Sequence, residues 1–248
     1  DELYRSPQSV VYRGHYNDAP EDSPPVILKQ LNVDFPTPEQ LARFAHEFAQ
    51  TQALQGPGVI GARELFRHEN TMVMVLEDFG GESLDRHWSG IAVPLADFLP
   101  LALSIVDALR SVHQKGLIHK DINPSNIVWN STTKQVKLID FGLSTELTQE
   151  PSQLGNPAQL AGTLAYLAPE QTGRMNRAID YRSDFYALGM TFYELLTGQL
   201  PLASDDPLEW VHWHIARTAA PPHTVNPAIP LVLSDIVLKL LAKTAADR

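Results

Sequence analysis

The sequence predicts an α+β domain of two lobes, with strands and one helix first and a largely helical half after them. Three patterns carry that prediction. Short runs rich in Val, Ile and Tyr recur between residues 9 and 79, separated by clusters of Pro, Asn, Asp and Gly. A capped amphipathic stretch interrupts them at residues 37–56. From residue 94 onward, apolar residues recur every three or four positions.

In order, "SVVYRG" (9–14) and "PPVILKQL" (24–31) read as strands, joined by the turn-rich "HYNDAPEDSP". In "TPEQLARFAHEFAQTQALQGPG", Thr37 and Gln40 form a capping box, Pro38 suits the first helical position and Gly56 suits the end. Leu41, Phe44, Ala45 and Phe48 are the stripe to bury. "TMVMVLEDF" (71–79) is an inner strand, and Gly80-Gly81 redirects the chain. Leu95, Phe98, Ala102, Ile105, Val106 and Leu109 mark a long helix stopped at Gly116. "SDFYALGMTFYELLTG" (183–198) is apolar nearly all round, so it belongs in the middle of the C-terminal half. Asp206, Pro207 and Glu209 open a further helix, and "LSDIVLKLLAKT" is the last.

A net charge of −10 disfavours nucleic acid or an anionic membrane as partner, because phosphate binding needs a basic surface. The absence of cysteine excludes disulfides and thiolate metal sites. The longest apolar candidate, "FLPLALSIVDAL", contains Pro100 and Asp107 and is no membrane span. "DELYRSPQSV" has no basic region followed by an apolar core, so no signal peptide is read there. The helical pattern still running at "AKTAADR" reads as a domain cut from a longer chain.

Taken singly, the polar residues are unremarkable in chemistry. Asp121 suits a turn, Lys29 a solvated strand and Glu47 an exposed helix face. Their order is more specific: Lys29 in "VILK", Glu47 in "RFAHE", "EDF" at 77–79, His119, Asp121 and Asn126 in "HKDINPSN", "DFG" at 140–142, "APE" at 168–170 and "DFYALG" at 184–189. This order resembles that of the protein kinases along essentially the whole chain. The resemblance implies a bilobal protein-kinase fold, with a small antiparallel sheet and one main helix over 1–77, a hinge at 78–81 and a larger, mostly helical lobe over 82–248.

It also implies Mg2+- and ATP-dependent transfer of a γ-phosphoryl group to serine or threonine of a protein substrate. Such transfer asks the protein for positioning and charge neutralisation. In that reading Asp121 orients the acceptor hydroxyl and takes its proton, while Asn126 and Asp140 supply hard oxygen ligands for magnesium. Lys29, fixed by Glu47, holds the nucleotide phosphates. Val11, Ile27, Leu76, Glu77, Phe79 and Val128 surround the base, and Ser6 and Ser9 lie in the phosphate-covering loop. Asp184 anchors the catalytic loop, and Glu170 with Arg248 forms a buried ion pair.

Three departures from the family pattern matter for activity. The loop glycines are replaced by Tyr4, Ser6 and Ser9, with Pro7 between, which predicts a stiffer and bulkier loop. Ile27 stands where alanine is usual and narrows the base pocket. Asn123 replaces a lysine facing the γ-phosphate; loss of one such donor raises the barrier by roughly 3 kcal/mol. Lys120 replaces the usual arginine before Asp121. Two alternatives follow: a weakly active or inactive nucleotide-binding regulatory module, and a small-molecule kinase of the aminoglycoside or choline type. The latter lack "GTLAYLAPE", in which Gly162 and Thr163 form the acceptor platform of protein kinases.

"GTLAYLAPEQTGRMNRAIDYRSDFYALGMTFYELLTGQLP" further resembles the N-terminal kinase domain of large multisensor hybrid histidine kinases. That implies a cytoplasmic protein with downstream sensor and histidine-kinase domains in the same chain. Ser144, Thr145, Thr148 and Ser152 are candidates for phosphorylation, with Lys120 as the pairing cation. Arg174 and Arg177 read equally well as a docking surface and as solvated charges. "HWH" at 212–214 reads as packing, since residues two apart on a helix face different ways.

Overall fold

The fold was obtained as a computed structural model and is described for residues 1–17, 20, 23–146, 164–174 and 177–248. Strands β1 (Glu2–Arg5), β2 (Ser9–Gly14) and β3 (Val26–Leu31) are followed by helix α1 (Pro38–Ala53) and strands β4 (Ala62–His68) and β5 (Thr71–Glu77). They form one antiparallel sheet in the order β1-β2-β3-β5-β4, so β5 is internal. β1 and β4 were not evident in the sequence. Both are edge strands with mostly exposed side chains, so neither shows an apolar alternation.

Register puts Val11 opposite Lys29 and Leu76 opposite Ile27. With the two-residue alternation of β3, all four side chains share one face. α1 packs on this lobe through Phe44, which joins Ile60, Ala62, Met74 and Leu76 in a small core. Thr37 and Gln40 close the capping box, and the helix stops at Leu54, two residues before Gly56. Within α1, Phe44, Glu47 and Thr51 are the buried residues, so the buried stripe includes a carboxylate.

The second lobe begins with β6 (Glu82–Ser83) and α2 (Leu84–His87), then α3 (Leu95–Gln114), β7 (Leu117–Ile118), β8 (Ile127–Trp129), β9 (Val136–Leu138) and β10 (Thr145–Glu146). α3 buries Phe98, Leu101, Ile105, Ala108, Leu109 and Val112. Val106, expected inside, is 37% exposed, because the true stripe runs one position away from it. α4 (Arg182–Thr197) crosses the lobe centre, and Gly198 closes it in the left-handed conformation at φ +73°. α5 (Pro207–Ala216), capped by Asp206, α6 (Pro222–Val225) and α7 (Leu231–Leu240) complete the lobe. Gly189 of α4 lies so close beneath α7 that a Cβ there would meet that of Leu240 at 2.8 Å.

Two arginines tie the lobes near the hinge. Arg13 of β2 pairs with Asp78, and Arg86 of α2 donates to the Leu3 carbonyl of β1 at 2.8 Å. Among the described residues, no helix is long and apolar enough to cross a membrane.

Candidate active site

Lys29 lies on β3, Glu47 on α1 and Asp140 just after β9, in three different parts of the chain. The fold brings them together: Lys29 Nζ is 2.7 Å from Glu47 Oε1 and 3.2 Å from Asp140 Oδ2. Burial pulls the Lys29 ammonium down, but the Asp140 and Glu47 carboxylates together outweigh it, and its pKa rises. For Glu47 burial wins over the Lys29 charge, so its pKa is raised. For Asp140 burial is outweighed by Lys29 and by the Gly142 amide, and its carboxyl is held below the usual range. Its side chain keeps 41% of its surface, so it remains open to a ligand.

Asp121 follows β7 in a loop that is fixed from beneath. Asp184, at the start of α4, accepts from the backbone amides of His119 (2.9 Å) and Lys120 (2.8 Å) and contacts His113 Nε2 at 2.7 Å. Those bonds hold Lys120 at φ +68°, a conformation that costs about 1–3 kcal/mol outside glycine. Asp140 is held similarly at φ +64°. His119 is fully buried, Phe141 is 4.7 Å from its ring, and its Nδ1 accepts from the Asp121 amide while Nε2 faces the Ile139 carbonyl. Burial, against the opposing Asp184 and Asp140 charges, lowers its pKa and keeps that pattern neutral.

Asn126 Nδ2 donates to Asp121 Oδ2 at 2.8 Å and to the Asp121 carbonyl at 2.9 Å. Its amide oxygen is thereby the atom suited to a metal. Asn123 is turned into the loop. It is 4% exposed, its Oδ1 caps the 3-10 turn Pro124–Asn126, and its Nδ2 donates to Asp121 Oδ1 at 3.0 Å. Asparagine is a good cap because its carbonyl accepts the orphan amides of the turn. The substitution therefore removes a charge from the cleft and adds a support for Asp121.

The loop between β1 and β2 is closed on itself. Ser6 N donates to Ser9 O at 2.9 Å, while Gln8 N (3.2 Å) and Ser9 N (3.0 Å) both donate to Ser6 Oγ. Pro7 has no amide hydrogen. Asn32 fastens the turn from the side, Nδ2 to Ser6 O at 2.6 Å and its own amide to Gln8 O at 3.0 Å. Ser6 and Ser9 thus face each other, and the turn's amides are all engaged within it.

At the hinge the Glu77 carboxylate accepts from Gly61 N at 2.6 Å and pairs with Lys137 of β9. Its side chain braces the hinge from the face of β5 opposite Leu76. Ile27 and Phe79 pack against the small core of the first lobe, and Val128 lies on β8 between Ser83 and Lys137. Three supports were missed in the sequence. Asn130 Nδ2 holds the Phe79 carbonyl at 2.6 Å, Gln171 Nε2 holds the Lys120 carbonyl at 3.0 Å, and His113 supports Asp184. Asn130 closes the same polar stretch as Asp121, which was the available signal; the other two carry none.

Among the phosphorylation candidates, Ser144 is 3% exposed and donates its hydroxyl to the Phe141 carbonyl at 2.6 Å, so it is shielded. Thr145 pairs with Ile118 in the β7–β10 ladder. Thr148, Ser152, Gly162 and Thr163 lie outside the described residues. Glu170 and Arg248 form a two-pronged pair at 2.6 and 2.8 Å, with side chains 3% and 0% exposed.

The sequence signature described as "Protein kinase domain" matches residues 8–248. The serine/threonine-protein kinase PknB of Mycobacterium leprae is 32% identical over 230 residues, covering 90% of this chain and 36% of that protein. A probable serine/threonine-protein kinase of Clostridium perfringens is 30% identical over 227 residues, covering 90% of this chain and 32% of its own. Pkn1 of Myxococcus xanthus, also a serine/threonine-protein kinase, is 29% identical over 214 residues, covering 85% of this chain and 30% of its own. The chain thus spans about a third of the length of the curated relatives it matches. With the signature spanning nearly every residue and the cleft assembled as described, the chain belongs to the protein kinase domain family.

Proposed function

We propose that the domain transfers the γ-phosphoryl group of ATP to serine or threonine hydroxyls of a protein. The observation that carries this reading is Lys29 Nζ bridging Glu47 and Asp140 across the cleft. A lysine held by two carboxylates is pre-positioned as a phosphate clamp and needs no reorganisation when a triphosphate arrives. Asp121, held by Asn123 and Asn126, is the base that receives the acceptor proton. Serine and threonine acceptors are favoured by the resemblance to kinases of that class over 85–90% of the chain.

A carboxylate from Asp140 and an amide oxygen from Asn126 form a hard, two-ligand donor set of the kind magnesium accepts alongside substrate phosphates. When bound there, the ion neutralises charge on the transferred group. The chain's own part is to hold Asp140 at its strained φ and to commit the Asn126 nitrogen to Asp121, so that the amide oxygen is the atom offered to the ion. The full protein is proposed to be cytoplasmic and to carry sensor and histidine-kinase domains beyond this one, from the wording of residues 162–201.

The test is incubation with γ-labelled ATP, magnesium and dephosphorylated casein, followed by mass spectrometry. Phosphoserine or phosphothreonine on casein or on the domain is expected. Label appearing only on added aminoglycoside or choline would replace this reading by the small-molecule one.

The closed loop gives a second measurable consequence. Ser6→Ala removes the hydroxyl that occupies the Gln8 and Ser9 amides and lets them turn to phosphate. Affinity for magnesium-ATP, measured by titration calorimetry, is expected to rise about fivefold, the worth of one added hydrogen bond. A drop in affinity would instead show that Ser6 Oγ itself binds the nucleotide.

A further inference from the structure

The buried histidine of the "HWH" run takes no part in the cleft, yet its bonds lead to the segment beside it. His214 of α5 is 0% exposed. Its Nδ1 is 2.9 Å from the Tyr186 hydroxyl and its Nε2 is 2.7 Å from the Leu164 carbonyl. Lys243 Nζ lies 3.0 Å from the same hydroxyl and 4.3 Å above the Trp213 ring.

The donors and acceptors fix the direction of this chain. An ammonium only donates and a carbonyl only accepts. Tyr186 therefore accepts from Lys243 and donates to His214 Nδ1, and His214 donates through Nε2 to Leu164. That arrangement requires a neutral imidazole. Burial, opposed by the Leu164 bond and helped by the Lys243 charge, pushes His214 down to about 4. The other charges nearby are the Arg248 guanidinium, 5.0 Å from the Tyr186 ring, and its partner Glu170. His214 is thus a fixed two-ended connector between α4 and residue 164.

Leu164 opens the 3-10 turn Leu164–Tyr166, which runs on to the turn Pro169–Thr172. This segment is fastened at four places. His214 holds its start, Glu194 accepts from Tyr166, Arg248 pairs with Glu170, and Gln171 donates to the Lys120 carbonyl, one residue before Asp121. The last of these bonds places the segment against the catalytic loop.

We propose that His214 is a positioning residue for the protein acceptor: by holding the Leu164 carbonyl it sets where segment 164–172 stands beside Asp121, without contacting nucleotide. This rests on the phosphoryl-transfer reading above. Its chemistry is that of a buried donor-acceptor pair, which glutamine can imitate and phenylalanine cannot.

The test compares His214→Phe, His214→Gln and the wild type with casein as acceptor. For His214→Phe, the casein KM is expected to rise about tenfold, as loss of one buried hydrogen bond to the Leu164 carbonyl implies, with the ATP KM unchanged. His214→Gln is expected to restore it to within about twofold of wild type, since its amide can both accept and donate. Tyr186→Phe keeps the ring and removes only the hydroxyl; it should act in the same sense and serves where His214→Phe does not fold. Hydrogen exchange at residues 164–167 should quicken in His214→Phe and recover in His214→Gln. Unaltered exchange overturns the positioning role, and quickened exchange with an unmoved casein KM overturns the acceptor role. A failure of His214→Gln to rescue also overturns the proposal, as does a loss of kcat with both KM values unchanged. Absence of any transfer by the wild type overturns the function reading itself and with it the acceptor role, while exchange still decides the positioning role.

Discussion

Asp140→Asn is expected to lower phosphoryl transfer by about three orders of magnitude or more while leaving the domain folded. Asp140 pairs with Lys29 at 3.2 Å and still keeps 41% of its side chain accessible. Asparagine has the same shape, and its oxygen can keep the 3.3 Å bond from the Gly142 amide. Its amide group, however, would either point at the Lys29 ammonium or turn toward the metal position. Either way the charge that suits a divalent cation is gone. Lys29 retains Glu47 at 2.7 Å, so the first lobe keeps its main internal pair. Two measurements check this: steady-state kinetics, and thermal stabilisation by ATP with and without magnesium. The variant should lose the magnesium-dependent part of the stabilisation. Transfer within tenfold of wild type would remove Asp140 from the proposed mechanism.

Glu170→Gln should be the most damaging single change to stability away from the cleft. Arg248 is 0% exposed and makes two bonds to Glu170, while Ser183 donates to the same carboxylate at 2.7 Å. Glutamine leaves the guanidinium buried without a counter-charge, which costs about 3–5 kcal/mol, or roughly 10 °C in Tm for a chain of this size. Burial raises the Glu170 pKa, but its bonds to Arg248 and Ser183 outweigh that and hold it below the ordinary glutamate value of about 4.5. The unfolded chain therefore takes up the proton first as acid is added. The pair's contribution is present in full above about pH 4.5 and is lost as pH falls through the lower folded value. The Tm difference between wild type and Glu170→Gln should accordingly be constant near neutrality and narrow in acid. Calorimetry across that range checks both the size and the direction.

Much of this molecule was legible where local pattern and burial agree. Thr37, Asp206 and Gly198 end or begin their helices as their chemistry dictates, and α4, apolar nearly all round, lies in the lobe centre. The residues of the cleft were legible only through their order along the chain. No periodicity says that Glu47 turns inward, because a carboxylate on an amphipathic helix ordinarily faces water. Its burial follows from Lys29, supplied by a strand 18 residues earlier. Edge strands β1 and β4 were invisible since their side chains are mostly exposed. The inward turn of Asn123 was also beyond the sequence. Whether an amide caps a turn or faces a ligand depends on backbone geometry, and the same residue type serves both.

The junction behind the cleft has a mechanical consequence. Gly58 packs against α3 so tightly that a Cβ would meet the Ala108 Cα at 2.6 Å, and its carbonyl takes the Leu138 amide at 2.9 Å. Lys115 grips the carbonyls of Ala53 and Gln55, so the tail of α1 is fastened to the lower lobe. Glu47 sits six residues up the helix, about 9 Å along its axis. A tilt of about 15° around this fulcrum swings its carboxylate by about 2 Å over that arm, enough to part it from Lys29. The helix is therefore a lever, and whatever leans on its far end, near Thr37, has a handle on the Lys29–Glu47 pair.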